Sequence, residues 1–132
     1  MGLAVRFERN VVLVKRKHAP GKDLWAFPGG HVEVGEEIQA AAVREAAEEL
    51  NVKVKILKLL DCVDYIERDE QGRVKYHFVL VDYLAEIVSG RIKAGSDVEE
   101  ILLASQENIE TLPILPLTKK FIHKHIHAIF ES

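Results

Sequence analysis

The sequence predicts an α+β fold, and three observations lead to it. Short apolar strands lie on both sides of one interior helix, two long β-rich segments follow that helix, and a segment with helical apolar spacing ends the chain. Elements in this order are typical of packed layers of helices and strands rather than of a regular alternation of parallel strands and helices. The 132 residues suffice for one buried core, so we assign residues 1–132 to a single domain.

Composition excludes several functional classes. Apolar residues make up 48% and charged residues 30% of the chain, which is ordinary for a soluble globular protein. The net charge of −3 gives no reason to expect general binding to nucleic acid. No apolar run approaches the roughly 18 residues of a membrane span, and the N-terminal segment does not resemble a secretory signal. We therefore expect no membrane association and a reducing, cytoplasmic setting. We also predict that the single cysteine, Cys62, is a small buried thiol on a strand.

The first part of the chain predicts three short strands, at residues 3–7, 11–15 and 24–27. A turn at 8–10 joins the first two strands, and a loop at 18–23 leads to the third. Pro28-Gly29-Gly30 must end the third strand, because proline and two glycines do not continue regular structure.

An amphipathic helix is predicted from about residue 36 to residue 50. Four apolar residues at i, i+3, i+4 and i+7 form one stripe along it: Val43, Ala46, Ala47 and Leu50. Beyond it, β-rich segments at 52–66 and 74–88 are joined by a hairpin turn at 68–72. A further strand is predicted at 98–104. A last helix carries apolar residues at helical spacing: Ile122, Ile126, Ile129 and Phe130.

Three acidic residues share one arc of the interior helix. Glu45, Glu48 and Glu49 lie at i, i+3 and i+4, opposite the predicted apolar stripe. Like charges at this spacing repel one another and mildly destabilise a helix. A bound divalent cation would remove that repulsion, and Mg²⁺ prefers hard oxygen ligands of this kind. Taken alone, such a run is more often a solvated helix face. The surrounding residues therefore decide whether a metal site is predicted.

The surrounding residues resemble the Nudix box. Gly30, Glu36 and the run Arg-Glu-Ala-Ala-Glu-Glu-Leu-Asn-Val at 44–52 occupy the spacing of that motif, and the approach to it, residues 24–33, is also similar. Asn51 stands where the family usually has glycine. Asn is the next-best residue for the left-handed helix cap expected there. The resemblance implies the Nudix fold, a mixed β-sheet between helices in α/β/α layers, with the motif forming a loop, a helix and a loop.

The resemblance also implies catalytic roles. Glu45, Glu48 and Glu49 would bind Mg²⁺, or Mn²⁺ in its place, and the Gly30 carbonyl is a further candidate ligand. Arg44 would position a glutamate by a salt bridge, while Glu36 would support the motif. Water would attack phosphorus, and either a helix glutamate or a later one would accept its proton. Of the later candidates, Glu99 and Glu100, we favour Glu100.

Other residues are candidates for substrate binding, each with a structural alternative. Gly29 and Gly30 permit a backbone group to approach a phosphate, and Arg16 either holds a phosphate or forms a surface salt bridge. Trp25 and Phe27 either stack on a base or belong to the core. His77 could face the cleft from its strand. His123 and His127 have the spacing of a metal pair, but a solvated helix end is the better interpretation.

The expected substrate is a small nucleotide. Similarity to small ADP-ribose-pyrophosphatase-like Nudix proteins, over residues 10–51 and 68–88, makes ADP-ribose the first hypothesis. A nucleoside triphosphate and a dinucleoside polyphosphate are the enzyme alternatives. A Nudix-fold module that binds nucleotides without catalysis is the alternative from another class, although such a module would be expected to lose these glutamates. The sequence leaves the oligomeric state open. A homodimer is the candidate assembly, because many relatives form one and a free sheet edge would allow pairing.

Overall fold

The computed structural model describes residues 1–18, 21–96, 98 and 100–131. The described residues form six strands: β1 (Gly2–Phe7), β2 (Asn10–Lys15), β3 (Trp25–Ala26), β4 (Val52–Arg68), β5 (Val74–Gly90) and β6 (Ile101–Ala104). They also form three α-helices: α1 (Ile38–Leu50), α2 (Pro116–Lys124) and α3 (Ile126–Phe130). A short 3₁₀ turn, Gln106–Asn108, follows β6. The order of elements agrees with the prediction, although β3 is shorter than expected.

All six strands join one mixed sheet. Its main path runs β3-β2-β1-β5-β4, and β6 pairs with β2. β1 and β5 are parallel, whereas β4 and β5 form a long antiparallel hairpin. Gly2 has a partner on each side, because it pairs with Asp82 of β5 and also bridges to Gly29. The Gly29-Gly30 turn is thereby fixed against the parallel part of the sheet.

Side chains that alternate along the strands form a core on each face of the sheet. Leu3 and Val5 of β1 pack with Ala46 and Leu50 of α1 on one face. Ala4, between them in the sequence, packs on the other face with residues of α2 and α3, such as Ile122 and Ile129. The structure is therefore the α/β/α sandwich that the resemblance implies.

Three details differ from the sequence predictions. The prediction of the apolar stripe on α1 was wrong in part. Ala46 and Leu50 are buried, but Ala47 is exposed, and Ala42 is buried instead. The predicted last helix is broken at His125, which ends α2 and precedes α3. The prediction of a buried Cys62 was wrong, because its thiol is exposed on β4 beyond the residues that pack in the core.

The outer half of the β4–β5 hairpin is largely exposed. Large apolar side chains on it reach solvent, among them Ile66, Val74, Tyr76 and Val79. Within the described residues, the longest helix, α1, has 13 residues, and no helix has the length and apolar character needed to cross a membrane.

Candidate active site

The acidic residues lie on α1, whose C-terminus is well defined. Five of its 13 residues are alanine, the residue with the highest helix propensity. Asn51 ends the helix in the left-handed conformation, with φ 61° and ψ 32°, and its backbone N–H donates to the Ala47 carbonyl at 3.1 Å. The predicted Asn51 cap is confirmed. It fixes the last turn of α1, which carries Glu48 and Glu49.

The guanidinium group of Arg44 donates hydrogen bonds to three glutamates. Its Nε and Nη2 donate to the two carboxylate oxygens of Glu36 at 2.8 and 3.0 Å. Its Nη1 donates to Glu45 at 3.0 Å and to Glu48 at 3.2 Å. The bidentate pair with Arg44 lowers the pKa of the Glu36 carboxyl and raises the pKa of Arg44. Nη2 also donates to the His31 carbonyl at 3.0 Å. Arg44 thereby joins α1 to the loop before it.

Glycines allow two loops to approach the acidic face closely. A Cβ at Gly30 would overlap the Glu45 carboxylate, and a Cβ at Gly95 would overlap the Glu48 carbonyl oxygen. The Gly29 N–H donates to Glu49 Oε2 at 3.2 Å, and the Gly95 N–H donates to the Glu49 carbonyl at 2.9 Å. The predicted approach of the Gly29-Gly30 backbone is therefore directed at the glutamates of α1.

The donor chemistry of this face fits a hard divalent cation. The carboxylates of Glu45, Glu48 and Glu49 offer the oxygen ligands that Mg²⁺ and Mn²⁺ accept. Among the described residues, however, no three acidic, histidine or cysteine side chains are already arranged to hold a metal ion. Glu45 and Glu48 are held by Arg44, and Glu49 contacts the Gly29 N–H. The Gly30 carbonyl accepts a hydrogen bond from the Met1 ammonium at 2.6 Å.

A cleft of about 560 Å³ opens beside the Gly29-Gly30 turn. The start of α1, the β4–β5 hairpin and α2 form its walls, and its apolar side chains include Phe27, Ile38, Val63, Phe78, Leu80 and Phe121. The Phe27 and Phe121 rings meet edge to face with centroids 5.9 Å apart. The polar side chains on the cleft are few: Arg16, His31, Asp82 and Thr118. A mostly apolar wall with a few polar groups is typical of a small-molecule site.

Two aspartates that are paired across the hairpin have opposite pKa shifts. Asp61 and Asp82 are register partners on β4 and β5. Asp61 accepts hydrogen bonds from Lys124 at 2.6 Å and from His125 at 3.1 Å, and these partners, Lys124 first, lower the pKa of Asp61 to about 2. Burial raises the pKa of Asp82 to about 6. The Lys124 ammonium and the His125 ring therefore bond to Asp61, while Asp82 lies on the cleft.

Of the predicted substrate-binding residues, Arg16, Phe27, Gly29 and Gly30 line the cleft. Trp25 instead packs against the core on the α2 side, with Lys15 Nζ 6.0 Å from its ring. His77 forms an exposed pair with Asp64 at 2.9 Å. His77 is not among the residues that line the cleft, although the next residue, Phe78, is.

The predicted later base and the histidine pair lie elsewhere. The Glu100 carboxylate is exposed and lies 4.0 Å from Lys15 Nζ, away from the cleft-lining residues. Glu99 lies outside the described residues. His123 is exposed and bonded to Glu110 at 2.8 Å, and His127 is exposed and bonded to Glu131 at 2.9 Å. The two histidines thus have separate acidic partners.

The cleft residues that were not identified from the sequence include Phe78, Asp82 and Phe121. A signal existed for Asp82, because it is the one acidic residue in the apolar run 78–85. Phe121 gave no such signal, since its contact with Phe27 joins two segments far apart in the sequence.

Known proteins resemble this chain in both sequence and fold. The NUDIX domain family model matches residues 2–126. The chain is 33% identical, over 105 residues, to the ADP-ribose pyrophosphatase of Methanocaldococcus jannaschii; the match covers 80% of this chain and 60% of that protein. This chain therefore spans less than two thirds of that relative's length.

Two solved structures illustrate the likeness of fold. The MutT NUDIX hydrolase from Burkholderia pseudomallei is 29% identical with a TM-score of 0.76, over 92% of each chain. The bifunctional NMN adenylyltransferase/ADP ribose pyrophosphatase from Francisella tularensis, complexed with AMP and a manganese ion, is 26% identical with a TM-score of 0.70. That match covers 97% of this chain and 40% of the other.

Proposed function

Because the chain belongs to the NUDIX domain family, we propose that it hydrolyses the pyrophosphate bond of a nucleoside diphosphate linked to another group, with ADP-ribose as the first substrate. The observation that carries the proposal is the cluster in which Arg44 holds Glu36, Glu45 and Glu48 beside the cleft. The identity to the Methanocaldococcus jannaschii ADP-ribose pyrophosphatase and the likeness to the Francisella tularensis enzyme support ADP-ribose.

In this reaction a water oxygen forms a bond to one phosphorus while the bond from that phosphorus to the bridging oxygen breaks. The bridging oxygen keeps the electron pair and leaves with the second phosphate. ADP-ribose and water thus give AMP and ribose 5-phosphate, and the protons of the water pass to a base and to solvent. Mg²⁺, or Mn²⁺ in its place, supplies when bound the positive charge that offsets the charge developing on the phosphate oxygens.

Different residues of the chain bind the cation and the phosphate oxygens. Glu45, Glu48 and Glu49 hold the cation, and Arg44 positions the first two by direct hydrogen bonds. The Gly29-Gly30 turn and Arg16 lie on the cleft, where a backbone N–H and a guanidinium suit phosphate oxygens.

The contact of Glu49 with Gly29 supports a base on α1 over Glu100. The Glu100 carboxylate lies beside Lys15 rather than on the cleft. If a glutamate of α1 is the base, Glu100→Gln keeps most of the turnover, measured as release of ribose 5-phosphate. A large loss of turnover in Glu100→Gln would instead identify Glu100 as the base.

A product screen tests the proposal directly. ADP-ribose, nucleoside triphosphates and a dinucleoside polyphosphate are incubated with the protein in Mg²⁺ and in chelator, and the products are separated by chromatography. We expect AMP and ribose 5-phosphate from ADP-ribose in Mg²⁺, and no products in chelator. Pyrophosphate release from a triphosphate as the main activity would support the triphosphate alternative instead. Absence of hydrolysis across the panel would overturn the proposal, and reaction in ¹⁸O-labelled water would identify the attacked phosphorus.

Cation binding is measurable without turnover. A ligand that binds only the folded state raises Tm, and it also relieves the repulsion among the glutamates of α1. We expect millimolar Mg²⁺ to raise the Tm of the parent and to raise it much less in the double variant Glu48→Gln, Glu49→Gln. Equal shifts in the two proteins would place the cation elsewhere.

The homodimer expected from the sequence stays a prediction. Exposed apolar residues on the hairpin, such as Ile66, Val74 and Val79, provide a surface that a second copy would cover. Light scattering would then give twice the chain mass of 14.9 kDa, and a single chain mass across concentrations would contradict the prediction.

A further inference from the structure

The outer edge of β4 is open along a long strand. β4 has 17 residues and lies at the end of the path β3-β2-β1-β5-β4, so it pairs with β5 on one side only. Within the described residues, no loop forms a backbone hydrogen bond with this edge, and only the Cys62 N–H has a further partner, the Asp61 carboxylate. An open row of N–H and C=O groups is a template for pairing with another chain.

The charges along β4 are separated by sign. The first half carries three lysines and the second half three acidic residues: Lys53, Lys55 and Lys58, then Asp61, Asp64 and Glu67. In the part of the chain that the structure describes, none of the three lysines forms an ion pair, and neither does Glu67. A parallel second copy of β4 would place lysines against lysines. An antiparallel copy places lysines against carboxylates, and opposite charges that face each other across two strands attract.

One antiparallel register matches the whole strand. When Lys55 lies opposite Glu67 of a second copy, Lys58 lies opposite Asp64, three residues further along. The apolar residues between the charges then face apolar residues, in the pairs Ile56 with Ile66, Leu57 with Tyr65, Leu59 with Val63 and Leu60 with Cys62. Because a twofold axis relates the two copies, each of these pairs occurs twice.

Asp61 lies on the twofold axis, where two like charges would meet. In each copy its carboxylate accepts hydrogen bonds from Lys124 at 2.6 Å and from His125 at 3.1 Å. The negative charge of Asp61 is therefore already offset within its own chain. The centre of the interface carries no uncompensated charge.

Pairing in this register also covers apolar side chains that a single chain leaves in water. Leu59 is 54% exposed and Ile66 is 46% exposed. Removing such apolar surface from water favours association. The surface of the hairpin and the charges of the strand thus favour the same partner.

Lysines on an edge strand commonly prevent pairing. On β4 they prevent all but one arrangement, because acidic residues stand at the matching positions of the second half. A shift of one residue would place Lys58 opposite Val63 or Tyr65 instead of Asp64. The lysines therefore select a register by making the others unfavourable.

We propose that a second copy of this chain pairs with the outer edge of β4, antiparallel and about a twofold axis at Asp61, so that the two sheets join into one. The partner is identified by the charge sequence of the strand, which is complementary to its own reverse. This inference does not depend on the reaction proposed above.

Reversal of one charge in the outermost pair tests both the edge and the register. Lys55→Glu would set two carboxylates against each other, and Glu67→Lys would set two ammonium groups against each other, each twice in the dimer. Each variant should raise the dissociation constant of the dimer by roughly tenfold or more. An equimolar mixture of the two variants should associate about as well as the parent, because every such pair then joins opposite charges. Sedimentation equilibrium over a range of concentrations measures this.

Lys75→Glu is the matched control, because Lys75 is an exposed lysine on β5 rather than on the open edge; its association should equal that of the parent. A parent that keeps the single-chain mass of 14.9 kDa at every concentration would overturn the inference. So would single variants that associate like the parent, or a mixture that associates no better than its components. None of these results bears on the hydrolysis of ADP-ribose, which is assayed separately. If a variant fails to fold, as judged by circular dichroism, Lys58→Glu and Asp64→Lys replace the pair with the same expectations.

Discussion

Two charged clusters, one on each side of the sheet, differ in how far their charges balance. Around Arg44, one positive charge meets four carboxylates, those of Glu33, Glu36, Glu45 and Glu48, a net of 1 − 4 = −3. Around Asp61, one carboxylate meets the Lys124 ammonium, a net of −1 + 1 = 0, with His125 as a further partner. The Asp61 cluster is complete by itself, whereas the Arg44 cluster has negative charge left to attract a cation.

This difference in net charge separates ion pairs that stabilise the fold from ion pairs that prepare a binding site. The Asp61 cluster joins β4 to the junction of α2 and α3, and nothing further is needed to neutralise it. The Arg44 cluster retains repulsion among its glutamates, which destabilises the protein without a cation. Such repulsion among the glutamates has a function only if a bound ligand reduces it. Mutations in the two clusters should therefore have opposite effects on stability and activity.

The largest expected effect comes from the glutamates of α1. Glu48→Gln and Glu49→Gln should each lower kcat by roughly 100-fold or more, which corresponds to about 2.7 kcal/mol of transition-state stabilisation. Each should melt in chelator at a Tm no lower than the parent, because one repelling charge is removed. The measurements are ribose 5-phosphate release in Mg²⁺ and thermal melts in chelator.

Glu110→Gln is the control for these variants. Glu110 is exposed and forms surface ion pairs with Lys119 and His123, so its loss should change little. Near-parental turnover in both α1 variants would show that the assignment of chemistry is wrong. Unfolding in chelator would show that Glu48 and Glu49 are structural.

A mutation in the Asp61 cluster should have the opposite effect, a loss of stability. Asp61→Asn should lower Tm at neutral pH by several degrees, because Lys124 and His125 lose their carboxylate partner. The pKa of Asp61 is held at about 2, below its ordinary value of 3.8. Its contribution is therefore present above about pH 4 and is lost as the pH falls toward 2. The difference in Tm between parent and variant should close over that range, and a constant difference would contradict the role of the charge.

Asp82, directly across the hairpin from Asp61, should show the reverse dependence on pH. Its pKa of about 6 lies above the ordinary 3.8, so the folded state binds a proton that the unfolded state releases between these values. Stability is then lost as the pH rises from about 4 to about 6. Asp82→Asn should raise stability near pH 8 by on the order of 1 kcal/mol, and by little near pH 4. Denaturant melts at both pH values test this, with a pH-independent gain as the contrary result.

The smallest effect is expected at the helix cap beside the Arg44 cluster. Asn51 has φ 61°, a conformation that glycine adopts freely and β-branched residues avoid. Asn51→Gly should be neutral or slightly stabilising, whereas Asn51→Val should cost on the order of 1 kcal/mol. Denaturant melts of the three proteins measure this. If valine and glycine gave the same stability, the left-handed conformation would not matter to the cap.

The acidic face of α1 was predictable because its geometry is local. Glu45, Glu48 and Glu49 follow from helical periodicity alone, and Asn51 from the requirements of a helix end. The turn at 8–10 and the segments beside it likewise predicted the two short strands β1 and β2. The stripe on α1 was predicted less well. Which alanines are buried depends on how the helix is rotated against the sheet, and Ala42 rather than Ala47 faces it.

The sequence by itself thus determined the order of elements, the acidic face of α1 and its cap, because each depends on residues within about one or two helical turns of one another. Only the tertiary structure decided the cleft. Phe27 meets Phe121, Asp82 lies across Gly2 from Gly29, and His77 is not among the residues that line the cleft. These relations depend on strand register and on the packing of α2 against the sheet. A shift of register by one residue would exchange the two faces of a strand, so local pattern alone does not specify which side chains the cleft receives.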